Sequence, residues 1–149
     1  MSEKIISINR KASYNYYLVE RFEAGLVLKG TEIKAIRQGK VQFKDAYISI
    51  IKHEAFIKEM HIAAYEYGNI FNHDETRERK LLLHKQEIMK LEQKVKLKGF
   101  TIVPVKLYLK DGKAKMEIAL AKGKELYDKR QDAKIKDAKR EMAKALKLR

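Results

Sequence analysis

The side chains suited to covalent chemistry are few in this sequence and badly spaced for it. The four histidines, His53, His61, His73 and His84, lack the His-x-x-x-His spacing with which one helix face offers two ligands to a metal. Serine occurs only as Ser2, Ser7, Ser13 and Ser49, and none sits in a Gly-x-Ser-x-Gly turn that would lift a nucleophile above a sheet. Gly25 and Gly30 do not have the spacing of a phosphate loop, and no Gly-Lys-Ser/Thr follows them. The absence of cysteine excludes a disulfide scaffold, a thiolate zinc site and a cysteine nucleophile. Carboxylates are plentiful, but almost every one has a Lys or Arg nearby in sequence, which is the pattern of solvated ion pairs. The expectation is a protein that is not an enzyme and uses no metal and no cofactor.

The cations carry the stronger signal. Lys and Arg total 34 against 20 Asp and Glu in 149 residues, a formal net charge of +14. Like charges oppose compaction, so such an excess points to a polyanionic partner, whose encounter it accelerates. The basic residues cluster: Arg10-Lys11 after Asn9, Arg77, Arg79 and Lys80 after a polar loop, Lys110, Lys113 and Lys115 around a turn, and Lys122, Lys124, Lys129 and Arg130 further on. Such clusters neutralise phosphates and release counterions. Nucleic acid is the first expectation and an anionic membrane surface the second.

These residues need a scaffold, and the pattern that supplies it is strand-rich. Val103, Val105, Leu107 and Leu109 alternate with Pro104, Lys106, Tyr108 and Lys110. Asp111-Gly112 then suits a two-residue hairpin turn, and Ala114, Met116, Ile118 and Leu120 return on one face opposite Lys115 and Glu117. Tyr14, Tyr16, Leu18 and Phe22 share one side of an extended segment; residues 46–51 and 55–62 read as two more short apolar runs. A short helix is predicted over 32–38, capped by Thr31 and stopped at Gly39. A longer one is predicted over 84–98, with Ile88, Leu91 and Val95 on one stripe and Gly99 as its stop. Leu81-Leu82-Leu83 fits an extension of that helix and a short strand equally well. The fold class is therefore mainly β with flanking helices, a small antiparallel barrel.

Composition changes near Gly123. Residues 1–121 read as the folded body and 122–149 as a basic tail, with 11 Lys or Arg against 5 acids. Its apolar stripe, Ile135, Ala138, Met142 and Leu146, is thin, so the tail is expected to be disordered when free and helical along a polyanion. Tyr127, flanked by Asp128, Lys129 and Arg130, suits stacking on a base. No stretch reaches the length of a bilayer span and no signal-peptide core stands at the start, so a cytoplasmic location is expected.

Several strings together resemble the SsrA-binding protein family, SmpB: Asn9-Arg10-Lys11-Ala12; Glu23-Ala24-Gly25-Leu26-Val27-Leu28-Lys29-Gly30-Thr31-Glu32-Ile33-Lys34; Asp45-Ala46-Tyr47; Asn72-His73; Arg77-Glu78-Arg79-Lys80-Leu81-Leu82-Leu83-His84-Lys85; and Ala121-Lys122-Gly123-Lys124 followed by Tyr127-Asp128-Lys129-Arg130. The resemblance is collinear from Asn9 onward. It implies a barrel of oligonucleotide-binding type whose body binds the tRNA-like domain of transfer-messenger RNA (tmRNA). It further implies delivery of that RNA to stalled ribosomes for trans-translation, by an elongation factor with GTP acting through the aminoacylated RNA. Matched residue by residue, Asn9, Glu23, Leu82 and Lys115 fall at RNA-contacting positions and Lys122 and Lys124 at the basic junction. Lys11, Arg79 and Lys80 join the candidate RNA-binding set as members of the basic clusters. Tyr127, Asp128, Lys129 and Arg130 match the part of the tail that enters the decoding centre and message channel. The sequence departs from the family's pattern at Glu125, where a lysine is usual, and at Glu75 and Ala64, where proline is common. The rival readings are a general RNA-binding or ribosome-associated barrel without a dedicated tmRNA partner, a membrane-surface protein and a nuclease. A monomer with no membrane partner is expected.

Overall fold

The computed structural model describes residues 3–65, 72–97 and 99–124. In chain order the elements are β1 (Glu3–Ile8), α1 (Arg10–Asn15), β2 (Tyr16–Leu26), α2 (Gly30–Arg37), β3 (Val41–Gln42), β4 (Tyr47–Ile51), β5 (Glu54–Lys58), β6 (His61–Ile62), β7 (Arg79–Leu82), α3 (Lys85–Val95), β8 (Phe100–Lys110) and β9 (Lys113–Gly123).

The β8–β9 hairpin forms, with Leu107 and Leu109 on the core face as expected, but Val103, expected on the same face, packs instead with Ala12 and Ala121. Asp111 and Gly112 both take positive φ, 51° and 79°, as a primed two-residue turn requires. Ala114, Met116, Ile118 and Leu120 are buried. Among the described residues seven strands make one sheet in the order β1-β8-β4-β5-β7-β2-β9, and β8 also pairs with β9. The pairing closes β8, β4, β5, β7, β2 and β9 into an antiparallel barrel, with β1 added on the outside of β8. Closure leaves no free edge among those strands. The ring has six strands against the five of the oligonucleotide-binding type, so the small antiparallel barrel is borne out and the narrower type stays an implication of the resemblance.

Two bulges shape the barrel. The β2–β9 register shifts between Leu18 and Glu20, and the β8–β9 register between Pro104 and Lys106. Proline donates nothing to a ladder, so a bulge is where a paired strand tolerates it. Beyond the β2 bulge, Phe22 and Ala24 face the barrel core with Ile48, Ile57, Leu81, Leu107 and Met116. Before it, Tyr16 and Leu18 pack instead on a smaller cluster of Ala12, Val103 and Ala121, under α1. The uninterrupted segment expected over Tyr14 to Phe22 is thus a helix end, a strand and a bulge.

The helices differ from expectation at their ends. Lys29, not Thr31, is the N-cap of α2, where the Glu32 carboxylate accepts from the Lys29 N–H at 2.9 Å. Thr31 Oγ1 instead pairs with His73 Nδ1 at 2.8 Å. Gly39 follows α2 with φ of 75°, as a helix stop of this kind needs. α3 docks through the wholly buried Leu91, flanked by Ile88 and Val95, and ends at Val95, short of Gly99. Leu81 and Leu82 resolve as strand β7, not as a helix extension. β9 runs to Gly123, so Lys122 belongs to the barrel's last strand rather than to the tail expected from 122. Within the described residues no helix is long and apolar enough to cross a membrane.

Candidate nucleic-acid interface

Strand alternation sorts the predicted residues at once. On β7, Arg79 and Leu81 point inward while Lys80 and Leu82 point outward. Lys80 is partly exposed and pairs with Glu54 across to β5 at 3.3 Å. Leu82 is 54% exposed, a large apolar side chain left on the outside.

Arg79 lies inside the protein, not among the surface cations expected to contact RNA. It is 0% exposed, and its donors are consumed inside the protein. Nε donates to Glu32 Oε2 at 2.6 Å, Nη1 to the Met60 carbonyl at 2.6 Å, and Nη2 to the carbonyls of Asp74 and Glu75 at 3.3 and 3.1 Å. Glu32 is also wholly buried and receives Arg77 as well. Burial pushes the Glu32 carboxyl up, but the Lys29 N–H and the two guanidiniums outweigh it and hold the group below its usual range. A guanidinium in this setting cannot reach a phosphate. It ties β7 and α2 to the stretch before β7.

That stretch also accounts for two departures from the family's pattern. The Glu75 carboxylate accepts from the Ala64 N–H at 3.2 Å and faces His61 Nε2 at 2.8 Å. Proline at 64 would have no N–H to give, and proline at 75 no carboxylate to receive it. The two departures meet, and each supplies what the other uses.

Glu23, Leu82 and Lys115 come together around Gly25. Gly25 pairs with Leu82 on one side and with Lys115 on the other. A Cβ on Gly25 would stand 3.4 Å from Leu82 Cβ and 3.7 Å from Lys115 Nζ, so both side chains close over bare backbone. His84 and Glu87 at the start of α3 complete a cleft of about 270 Å³. Glu23 lies directly opposite Glu117 on β9, a like-charge pair that costs stability unless compensated. The surrounding cations compensate: Arg21 and Lys106 reach Glu117 at 3.0 and 3.6 Å, and Lys110 reaches Glu23 at 3.6 Å. Tyr108 donates its hydroxyl to Glu23. That hydrogen bond, with Lys110 and Lys115, overrides burial and lowers the Glu23 carboxyl below its ordinary range.

Asn9 and Lys11 belong to a second place, around α1. Asn9 donates Nδ2 to the Pro104 carbonyl at 2.8 Å and its backbone N–H to Val105 at 2.8 Å, pinning the start of α1 to the β8 bulge. Asn9 and Lys11 line a hollow with Asn15, Lys44 and Asp45. Lys124 closes the other end of α1, donating Nζ to the Ser13 carbonyl at 3.0 Å with the ammonium 5.0 Å from the Tyr17 ring centre. Lys122 stands over Phe100 at 5.9 Å. Tyr127, Asp128, Lys129 and Arg130 lie outside the described residues. Sequence reasoning missed the role of Tyr108; its signal was an aromatic ring on the same side of β8 as Lys106 and Lys110, a side otherwise facing water.

A closed barrel whose outer face gathers cations, one held carboxylate and an exposed leucine around a glycine has the shape and charge of the class of proteins that recognise folded RNA. The chain belongs to the SmpB family, whose model, described as "SmpB protein", matches residues 6–148. It is 53% identical over 149 residues to the SsrA-binding protein of Geotalea uraniireducens, covering 100% of this chain and 99% of that one. It is 55% identical over 148 residues to the SsrA-binding protein of Bacillus cytotoxicus, covering 99% and 96%. A solved structure described as "tmRNA-SmpB: a journey to the center of the bacterial ribosome" superposes with a TM-score of 0.68 at 44% identity, over 80% of this chain and 85% of that one.

Proposed function

We propose that this protein binds the tRNA-like domain of tmRNA and delivers it to stalled bacterial ribosomes for trans-translation. The observation that carries the reading is the family match along residues 6–148, with Glu23, Leu82 and Lys115 gathered at one cleft. In this reading the barrel recognises the RNA through phosphates, shape and the occasional base edge or 2′-hydroxyl. Lys80 and Lys115 supply charge beside the exposed Leu82, and Glu23 accepts a hydrogen bond from the RNA. Asn9, Lys11, Lys122 and Lys124 shape the α1 end, from which the tail continues. Tyr127, Asp128, Lys129 and Arg130 act in the decoding centre and message channel. The protein works in the cytoplasm as a monomer and performs no covalent step; an elongation factor with GTP delivers the complex through the aminoacylated RNA.

Competition binding tests this. At matched salt the full chain should prefer the isolated tRNA-like domain over other structured RNAs, with affinity falling steeply as salt rises. Equal affinity for all of them would support a general RNA-binding barrel instead.

A further inference from the structure

We infer that Tyr108 is a positioning residue for the RNA contact made by Glu23: its buried phenol fixes the carboxylate on the outer face and leaves one oxygen for the ligand. The inference rests on the functional reading above. Its footing is geometric. Tyr108 is 3% exposed although it lies on the outward side of β8, because its ring lies across the outer face under the Lys106 ammonium, 5.2 Å from the ring centre. Along β8 and β9 its partner is Lys115, so the hydroxyl reaches past β9 to arrive at Glu23 on β2. A tyrosine buried to this degree must give its hydroxyl a partner, and that partner is a carboxylate whose side chain is itself 43% exposed. Both contacts on Glu23, from Tyr108 and from Lys110, fall on Oε2; among the described residues Oε1 takes no partner.

The surroundings explain why a neutral donor is needed. Charged and titratable groups face Glu23 from β8 (Lys110), β9 (Lys115, Glu117) and the start of α3 (His84, Glu87). Glu3 of β1 lines the same outer surface. The cations alone would hold a loose carboxylate in several arrangements, since an ammonium is a non-directional charge. A phenol hydroxyl anchored by a buried ring is directional. Burial and the adjacent Glu23 push the ionisation of Tyr108 well above its usual range, so it remains a donor throughout the physiological pH range.

The test uses the full chain in four forms: unaltered, Tyr108→Phe, Glu23→Gln and the double variant. Tyr108→Phe keeps the ring and its packing. Binding to the tRNA-like domain at fixed salt should weaken about three- to tenfold in Tyr108→Phe, and the double variant should bind no more weakly than Glu23→Gln alone, because interacting residues are non-additive. Unchanged affinity in Tyr108→Phe, or effects that add, would overturn the inference. A second readout needs no RNA: the Glu23 carboxyl, followed by carbon NMR in the free chain, should titrate at higher pH in Tyr108→Phe. A titration that does not move rejects the role of Tyr108 and leaves the functional reading intact. An unaltered chain with no preference for the tRNA-like domain rejects the functional reading, and the inference with it, even where the titration moves.

Discussion

Replacing Arg79 with methionine separates a buried clamp from a surface phosphate contact. The substitution removes the partner of Glu32 Oε2 and the donor to the Met60 carbonyl, both in residues that are 0% exposed. The carbonyls of Asp74 and Glu75 belong to exposed residues and can turn to water. Each group stranded in the interior costs about 1–3 kcal/mol. Two of them therefore cost about 2–6 kcal/mol, which brackets the roughly 3–5 kcal/mol typical of breaking a buried ion pair. With a urea slope of about 2 kcal/mol/M, a loss of about 4 kcal/mol lowers the unfolding midpoint by about 2 M. Urea titration followed by circular dichroism measures this directly. RNA affinity, measured where the variant is still folded, should keep the unaltered chain's salt dependence. A midpoint within about 0.3 M of the unaltered protein, together with a shallower salt slope, would refute the clamp and restore Arg79 to the surface.

Three further outcomes follow from the same structure. The Glu32 carboxyl is held below its ordinary range, so its stabilisation is complete above about pH 4.5 and is lost as the pH falls through the lower folded value; urea midpoints from pH 7 to 3 should show this decline, and Arg79→Met should lose less over the same window. Lys80→Met and Lys115→Met should each leave the urea midpoint nearly unchanged while reducing the slope of log affinity against log salt by about 0.7–1, as losing one phosphate contact does. A chain ended after Lys124 should still bind the tRNA-like domain in a gel-shift assay yet fail to support peptide tagging in a stalled-ribosome translation system; loss of RNA binding would contradict the division between barrel and tail.

How much of this was legible depends on how local each cause is. The β8–β9 hairpin was readable because its turn and its alternation sit within about twenty residues of one another and agree. The stripe of α3 was readable for the same reason. α1 was not: Arg10–Asn15 is one short turn pair with no side-chain cap, and it holds its shape through Asn9 and Lys124, distant in sequence from what they grip. The two bulges were invisible because a shifted register is decided by the partner strand. Arg79 is the instructive case. It shares the parity of Leu81, and that alone placed it inward, but its position between Arg77 and Lys80 made it look like one of a cationic cluster. Its acid, Glu32, lies 47 residues away, so nothing nearby announced the pair. Within the candidate site, the resemblance implies Glu23, Leu82 and Lys115 one by one, while their meeting at Gly25 is a product of closure.

Closure has an effect on how the polypeptide comes into being. β9 is the seam of the ring: it holds β2 on one side and β8 on the other, so no shorter product of translation can complete the circle. A nascent chain halted before β9 begins at Lys113 leaves Phe22, Ala24 and Leu107 without the Met116 and Ile118 they pair against, and such exposed apolar surface and unpaired strand edges are prone to aggregation. Synthesis interrupted short of β9 therefore yields an open sheet, and the ring closes only in chains read through that seam.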